Sequence, residues 1–433
     1  MTEPTRDSLA AFTTAKAISN TALRWAPPFL PTLERAFGAS TSQLTTALGI
    51  AEMGGLSTLL IGRRLDRGQE RLIAVLGCGI IAVAALVALA GTTLTFGIGA
   101  FLVVIGVANL TTAGHTWLGH RVPYERRARV IGIFETSWAL SLLVGAPIVA
   151  GLIALFGWRG PYVAFVLAAS LAGVLVATRV DRVAIGTGAE RGAGRGPTIT
   201  PEHEITTRAD VQAASEAASE AASEAASEAA SETPLVAGLA ARVDPSVDRR
   251  VRPDAAAWAT IGASALAAMA GLSVFAVFGS WLDDSFGVST GGLGAIAMGI
   301  GGIELAASIT SAGFADRLGK RRSTVVALGL LVIGLTVMTS ADGSLAVGVI
   351  GLLAFLCGFE YSIVTSFSLV TEAMPEARGV TISLSNAIGT MARGIGVVAS
   401  GLLYEAHGIS GSALLSGTAA VGAIALFVAG RRR

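Results

Sequence analysis

From residue 12 onward the chain is a succession of apolar runs, each about twenty residues long, separated by short polar breaks. A bilayer core needs about 20 mostly apolar residues per helix. Runs of that length lie near 12–32, 43–62, 72–91, 94–118, 129–155 and 161–178. A second set lies near 256–282, 290–313, 323–341, 345–370, 379–404 and 410–430. They are rich in Ala, Leu and Gly and show no period-two alternation, so they predict helices rather than strands. The first is the least apolar. The pattern predicts an all-α membrane protein: 12 transmembrane helices in two pseudo-symmetric six-helix bundles, 1–179 and 255–433, joined by a long linker at 180–254.

The polar breaks carry a second pattern. Lys and Arg concentrate in cytoplasmic loops. Arg63, Arg64, Arg67 and Arg71 follow the second run, Arg121, Arg126, Arg127 and Arg129 the fourth, and Arg317, Lys320, Arg321 and Arg322 the eighth. The chain ends in Arg431, Arg432 and Arg433, whereas the alternate breaks hold isolated Arg35 and Arg159 and the acidic Asp283, Asp284, Asp342 and Glu405. This alternation predicts a multi-pass protein of the cell (inner or plasma) membrane with both termini cytoplasmic. The linker contains "AASEAASEAASEAASEAASE" at 213–232. Glu at every fourth position stacks like charge along a helix, and a four-residue period drifts around a 3.6-residue turn, so a flexible cytoplasmic spacer is expected.

Composition agrees with lipid as the main solvent. The chain is 52% hydrophobic and 14% charged, against about 25% charged in ordinary soluble domains, and its mean hydropathy is +0.67. Its 54 glycines suit close helix approach. A net charge of +1 gives no reason to expect nucleic acid. No nucleotide, metal-ligand or nucleophile–base motif is present, so neither a cofactor nor an enzyme activity is expected. Cys78 and Cys357 both sit in apolar runs and read as buried thiols. The first twenty residues lack the order of a signal peptide.

Ionisable residues inside the runs are costly, roughly 2.5 to 3.5 kcal/mol each on insertion scales, so their positions carry information. Arg24, Glu52, His115, Glu135, Glu304, Glu360 and Arg393 fall within runs one, two, four, five, eight, ten and eleven. Runs three, six, nine and twelve have none, and run seven has none but is followed directly by Asp283 and Asp284; every third run is purely apolar, which predicts that these four face lipid and the others surround a polar interior. The halves echo each other. Glu52 lies fourteen residues before Asp66 and Glu304 twelve before Asp316, while Asn109 and Glu360 stand at similar distances before Pro123 and Pro375. Internal repeats with a midplane site between them are one plan of secondary transporters. Arg24, Asn109, His115, Glu360 and Arg393 are therefore expected to line a substrate site. Glu52, Glu304 and Glu135 are expected to couple or gate. Trp25, Trp117, Trp138 and Tyr361 are aromatic candidates for stacking a ligand.

The loops carry a resemblance. "GFADRLGKRRS" at 313–323 holds Asp316, Arg317, Gly319, Lys320 and Arg321, and "GRRLDRGQER" at 62–71 holds Gly62, Asp66 and Arg67. Both are similar to the G-x-x-x-D-R-x-G-R/K-R/K loop of the major facilitator superfamily. Ala312 replaces the leading Gly of the second copy, and Gly68 is displaced by one position in the first. "SLLVGAPIVAGLIALFGWRGPYV" at 141–163 resembles the drug:proton antiporter helix G-x-x-x-G-P-x-x-G-G through Pro147 and Gly151, with Gly145 and Ala146 before the proline and Ala150 in a glycine place. The resemblance implies a 12-span transporter working by alternating access, with the two loops as conformational latches. It implies a small organic substrate and protons as partners, most simply proton-coupled efflux, and a monomer in the lipid bilayer. A proton-coupled importer or uniporter of a metabolite such as an organic anion is the alternative, and a non-transporting receptor or scaffold built on the linker is the alternative of another class.

Overall fold

The computed structural model describes residues 6–122, 124–180, 253–374 and 377–430. The 181–252 stretch, with the AASE repeats, and Arg431–Arg433 lie outside the described residues, as do the side chains of Arg126, Arg127, Arg129 and Asp316. Every regular element among the described residues is helical. The first half of the chain gives α1 (Arg6–Arg24), α2 (Leu30–Phe37), α3 (Thr41–Ala51), a 3₁₀ turn (Glu52–Ser57), α4 (Thr58–Leu65), α5 (Glu70–Ala88), α6 (Thr93–Arg121), α7 (Tyr124–Leu143), α8 (Gly145–Phe156) and α9 (Arg159–Arg179). The second half gives α10 (Ala255–Phe286), α11 (Thr290–Leu318), α12 (Lys320–Thr339), α13 (Leu345–Ala373), α14 (Arg378–His407) and α15 (Ile409–Ala429).

Local chemistry explains the boundaries. Ser40 and Thr92 each close a capping box at the starts of α3 and α6, and Asp254 and Ser289 cap α10 and α11. Two expected runs are interrupted. Gly54 and Gly55 sit where α3 tightens into the 3₁₀ turn, and Glu52 is its first residue. Pro147 has no amide to offer Leu143, so the fifth run breaks at Val144 into α7 and α8.

Eleven helical stretches among the described residues are long and apolar enough to cross a membrane. The expected first run is not one of them, which corrects the 12–32 boundary. α1 ends at Arg24 and the chain turns through Pro27 and Pro28 into α2. Lys16, Asn20 and Arg24 recur at helical spacing on α1, and all three are buried. Helix α1 packs against α6, α7 and α9, so it is an interior helix too polar to register as a span.

The two halves repeat one set of contacts. Arg71, at the start of α5, donates to the carbonyl of Ala177 near the end of α9. Arg321, at the start of α12, donates to the carbonyl of Phe427 at 2.6 Å near the end of α15. Both pairs span 106 positions. A cation at a helix C-terminus satisfies orphan carbonyls and the dipole together. At the neighbouring positions Glu70 meets His120 at 2.6 Å, and Lys320 meets Glu372. The basic breaks thus tie helices within their own half.

Contacts between the halves cluster on the side away from these breaks. There α3 packs on α14, α7 and α8 on α11, and α2 on α10. Small residues make this possible. A Cβ on Gly301 would lie 2.3 Å from the Leu143 amide nitrogen, one on Gly49 would lie 2.6 Å from the Gly394 carbonyl oxygen, and one on Gly294 would lie 2.6 Å from Cβ of Ala150. Polar groups close the rim. Arg35 pairs with Asp283 at 2.5 Å, Ser280 donates to Glu34 at 2.8 Å, and the Ser42 amide donates to Glu405 at 2.9 Å.

Candidate functional site

A cavity of about 680 Å³ lies between the halves beneath this closed rim. Its wall is mostly apolar and aromatic, with Phe96, Phe165, Phe275 and Phe359 among its residues, and a few ionisable groups converge in it: Arg24, Glu52, His115, Glu304, Glu360 and Arg393. An apolar pocket with few convergent polar groups is the usual form of a small-molecule site.

The charges are arranged as cross-half pairs. The Arg24 guanidinium grips the Glu304 carboxylate with both terminal nitrogens, Nη1 reaching Oε2 at 2.8 Å and Nη2 reaching Oε1. Such a two-point grip is among the stronger hydrogen-bonded pairs. Nη1 also donates to the Trp138 carbonyl at 3.0 Å and to Ser141 Oγ at 3.2 Å, and the guanidinium lies 4.2 Å from the Trp138 ring centroid. Both side chains of the pair are buried. Near the opposite wall, Arg393 Nε donates to Glu52 Oε2 at 2.8 Å and its Nη2 donates to Thr390. Each half therefore supplies one arginine and one glutamate to the seam. Glu360 Oε1 accepts from Ser308 Oγ at 3.3 Å within the second half.

Residues 12–397 match the Major Facilitator Superfamily pattern. The chain belongs to the major facilitator superfamily. It is a transporter of that superfamily rather than an enzyme. The uncharacterized MFS-type transporter YwfA of Bacillus subtilis (strain 168) is 23% identical over 398 residues, covering 90% of this chain and 83% of the relative. In fold the chain is similar to a bacterial homolog of the human lysosomal transporter Spinster, solved inward-facing and unoccupied. The TM-score is 0.64 at 14% identity, covering 98% of this chain and 94% of that one.

Within this superfamily fold, most residues singled out from sequence meet at the cavity. Arg24, His115, Glu360, Arg393, Glu52 and Glu304 all do so. Asn109 does not line it, which corrects the expectation drawn from its symmetry with Glu360. It is buried and accepts from Ser57 Oγ at 3.3 Å, tying the 3₁₀ turn to α6. Glu135 is not among the wall residues and is held by Lys16 and by His115, which is. Trp117 is a fully buried packing residue against Phe12. Trp25 and Trp138 do line the cavity.

The outer-shell expectation needs one correction. α12 and α15 contribute no wall residue, but Ile81, Ala84, Ala85 and Ala88 of α5 and Tyr162 and Phe165 of α9 do. Those helices also expose Leu86, Leu167 and Leu171. A helix without charge can face lipid on one side and an apolar cavity on the other.

In the α7–α8 helix, Gly145 is required by space, since a Cβ there would meet Thr21 of α1 at 2.6 Å, whereas a Cβ on Gly151 would meet nothing within 4 Å. Among the loop residues, Gly319 adopts a φ of 81°, where glycine is favoured. Gly62 is buried within α4, whose C-cap is Asp66, and Asp66 and Arg67 are exposed. Sequence reasoning missed Lys16, Asn386 and Thr390. The signal for Lys16 was available in its four-residue spacing to Asn20 and Arg24.

Proposed function

We propose that the protein is a secondary transporter that carries a small organic solute by alternating access, most simply by proton-coupled efflux. The observation that carries this reading is a cavity between the halves, closed on one side, whose wall contains two ion pairs that join the halves. Alternating access needs contacts that break and reform between halves, and paired charges around a wet cavity supply them. By the charge asymmetry of the loops, the closed rim is external and this conformation is open toward the cytoplasm. In the reverse conformation the two basic loops act as latches.

The cavity charges favour a cationic or neutral amphipathic solute. Arg24 and Arg393 are each taken up by a carboxylate, whereas the contact of Glu360 is the Ser308 hydroxyl. Aromatic rings around these carboxyl groups suit a flat organic cation. The anion-importer reading loses its main support because both arginines already hold carboxylates. In proteoliposomes with ethidium as probe, an imposed pH gradient is expected to drive ethidium against its own gradient. Ethidium flux that ignores the pH gradient would remove proton coupling, and flux blocked by organic acids but not by hydrophobic cations would favour the importer.

A further inference from the structure

At the cavity wall lies a second polar cluster that the cross-half pairs do not use. Lys16 Nζ lies 2.5 Å from Glu135 Oε1, and His115 Nε2 lies 2.6 Å from the same oxygen. The three come from α1, α7 and α6. Lys16 and His115 are nearly enclosed, whereas the Glu135 side chain is 48% exposed, so water reaches the cluster through the carboxylate. His115 itself lines the cavity. The Phe134 ring packs on both cations' sites, 4.1 Å from Lys16 Nζ and 5.3 Å from the His115 ring.

Donor counting constrains the hydrogen-bond pattern around an ionised Glu135 and leaves room for one more proton. A carboxylate only accepts, so both Nζ and Nε2 must present hydrogens to Oε1. An ammonium, a carboxylate and an imidazole protonated on Nε2 sum to zero charge. One further proton, entering on Nδ1, makes an imidazolium and leaves both existing contacts in place. The net charge then rises from zero to one with no loss of a hydrogen bond.

Other ionisable groups stand near the cluster: Glu360 of α13 is close enough to interact with Glu135, and the buried Arg121 lies further along α6. On α5, which packs on α6, Glu70 is engaged by His120, about 7.5 Å along α6 from His115. From the turn after α3, Glu52 reaches the same cavity but is held by Arg393. On α4, Arg64 is exposed.

We propose that Lys16, Glu135 and His115 form the proton-binding site of this transporter, with His115 taking up one proton per cycle. The inference rests on the proton-coupled reading above. The seam between α1 and α7 gives it a route to the moving parts. Lys16 meets Glu135, Asn20 donates to Ser137 at 3.2 Å, and Arg24 meets Ser141 and Glu304. Lys16 and Arg24 share one face of α1, two turns or about 12 Å apart. A charge added at His115 thus acts on the pair that holds the halves together.

Two measurements test this. In nanodiscs, histidine-selective 15N spectra of the full chain are assigned by single substitution among His115, His120, His203 and His407. His115 is expected to change between the Nε2-protonated neutral ring and the doubly protonated ring within the pH range over which a gradient drives accumulation. A His115 ring that keeps one protonation form throughout overturns the proposal, whatever the transport result. In proteoliposomes, Glu135→Gln and the charge-neutral pair Lys16→Met/Glu135→Gln are expected to lose pH-driven ethidium accumulation by about tenfold or more, while gradient-free exchange falls much less. Proton-driven accumulation in wild type that survives in both variants overturns the site alone. Its absence in wild type, with exchange intact, overturns the coupled reading instead.

Discussion

At the residue scale the Arg24–Glu304 pair dominates. Removing one member of a buried pair leaves an uncompensated charge, which costs about 3–5 kcal/mol. Arg24→Gln is therefore expected to lower the melting temperature of the purified protein sharply. Arg24→Gln with Glu304→Gln is expected to recover most of that loss, because the desolvated carboxylate disappears with its partner. Thermal unfolding followed by intrinsic fluorescence checks both. The Glu52–Arg393 pair is more exposed, at 21% and 33%, so the same operation there is expected to cost far less. Arg24 was legible as a costly intramembrane cation, but its partner was not. Nothing in the spacing of 280 positions joins it to Glu304.

At the element scale, the closed side depends on helices that approach without side chains between them. α11 meets the α7–α8 helix through Gly294 and Gly301, and α14 meets α3 through Gly394 and Gly401. A side chain on Gly301 has no room, because the nearest atoms are backbone of α7. Gly301→Leu is expected to wedge the two helices apart. Spin labels at exposed Phe156 and Ser285 should then report a longer separation than in wild type. Gly151→Leu serves as the control, since that position faces open space. The proline-centred motif was readable in the sequence through Pro147 and the small residues beside it. Which of its glycines mattered was not, because that depends on what lies opposite.

At the scale of the whole molecule, the closed rim gives the conformational balance a pH dependence. Glu34, on α2 beyond the candidate spans, accepts from Thr41 at 2.7 Å and from Ser280 of the other half at 2.8 Å. Burial holds its carboxyl above the ordinary glutamate value, with Asp284 adding to the effect. A carboxyl raised in the closed arrangement favours its protonated form more there than when hydrated. Closure is therefore favoured at low pH, and that gain is lost as pH rises through the Glu34 value. The Phe156–Ser285 separation is expected to shorten on average as pH falls through the raised Glu34 value. Glu34→Gln should hold it near its low-pH value and flatten the response.

Much of this protein was settled by sequence alone. The apolar runs imposed helices, because lipid offers no partner for an unpaired backbone group. The repeat was visible too. Asp66 and Asp316 lie 250 positions apart, and the capping arginines Arg71 and Arg321 lie at the same offset. The costly residues in the runs marked a polar interior. Tertiary structure decided the rest: which charges pair across the seam, that Asn109 packs rather than lines, that α5 and α9 share the cavity wall, and that a lysine joins Glu135 and His115. The reason is physical. The cost of placing a charge in lipid is local to its own helix, whereas the partner that offsets the cost is chosen by how distant helices cross.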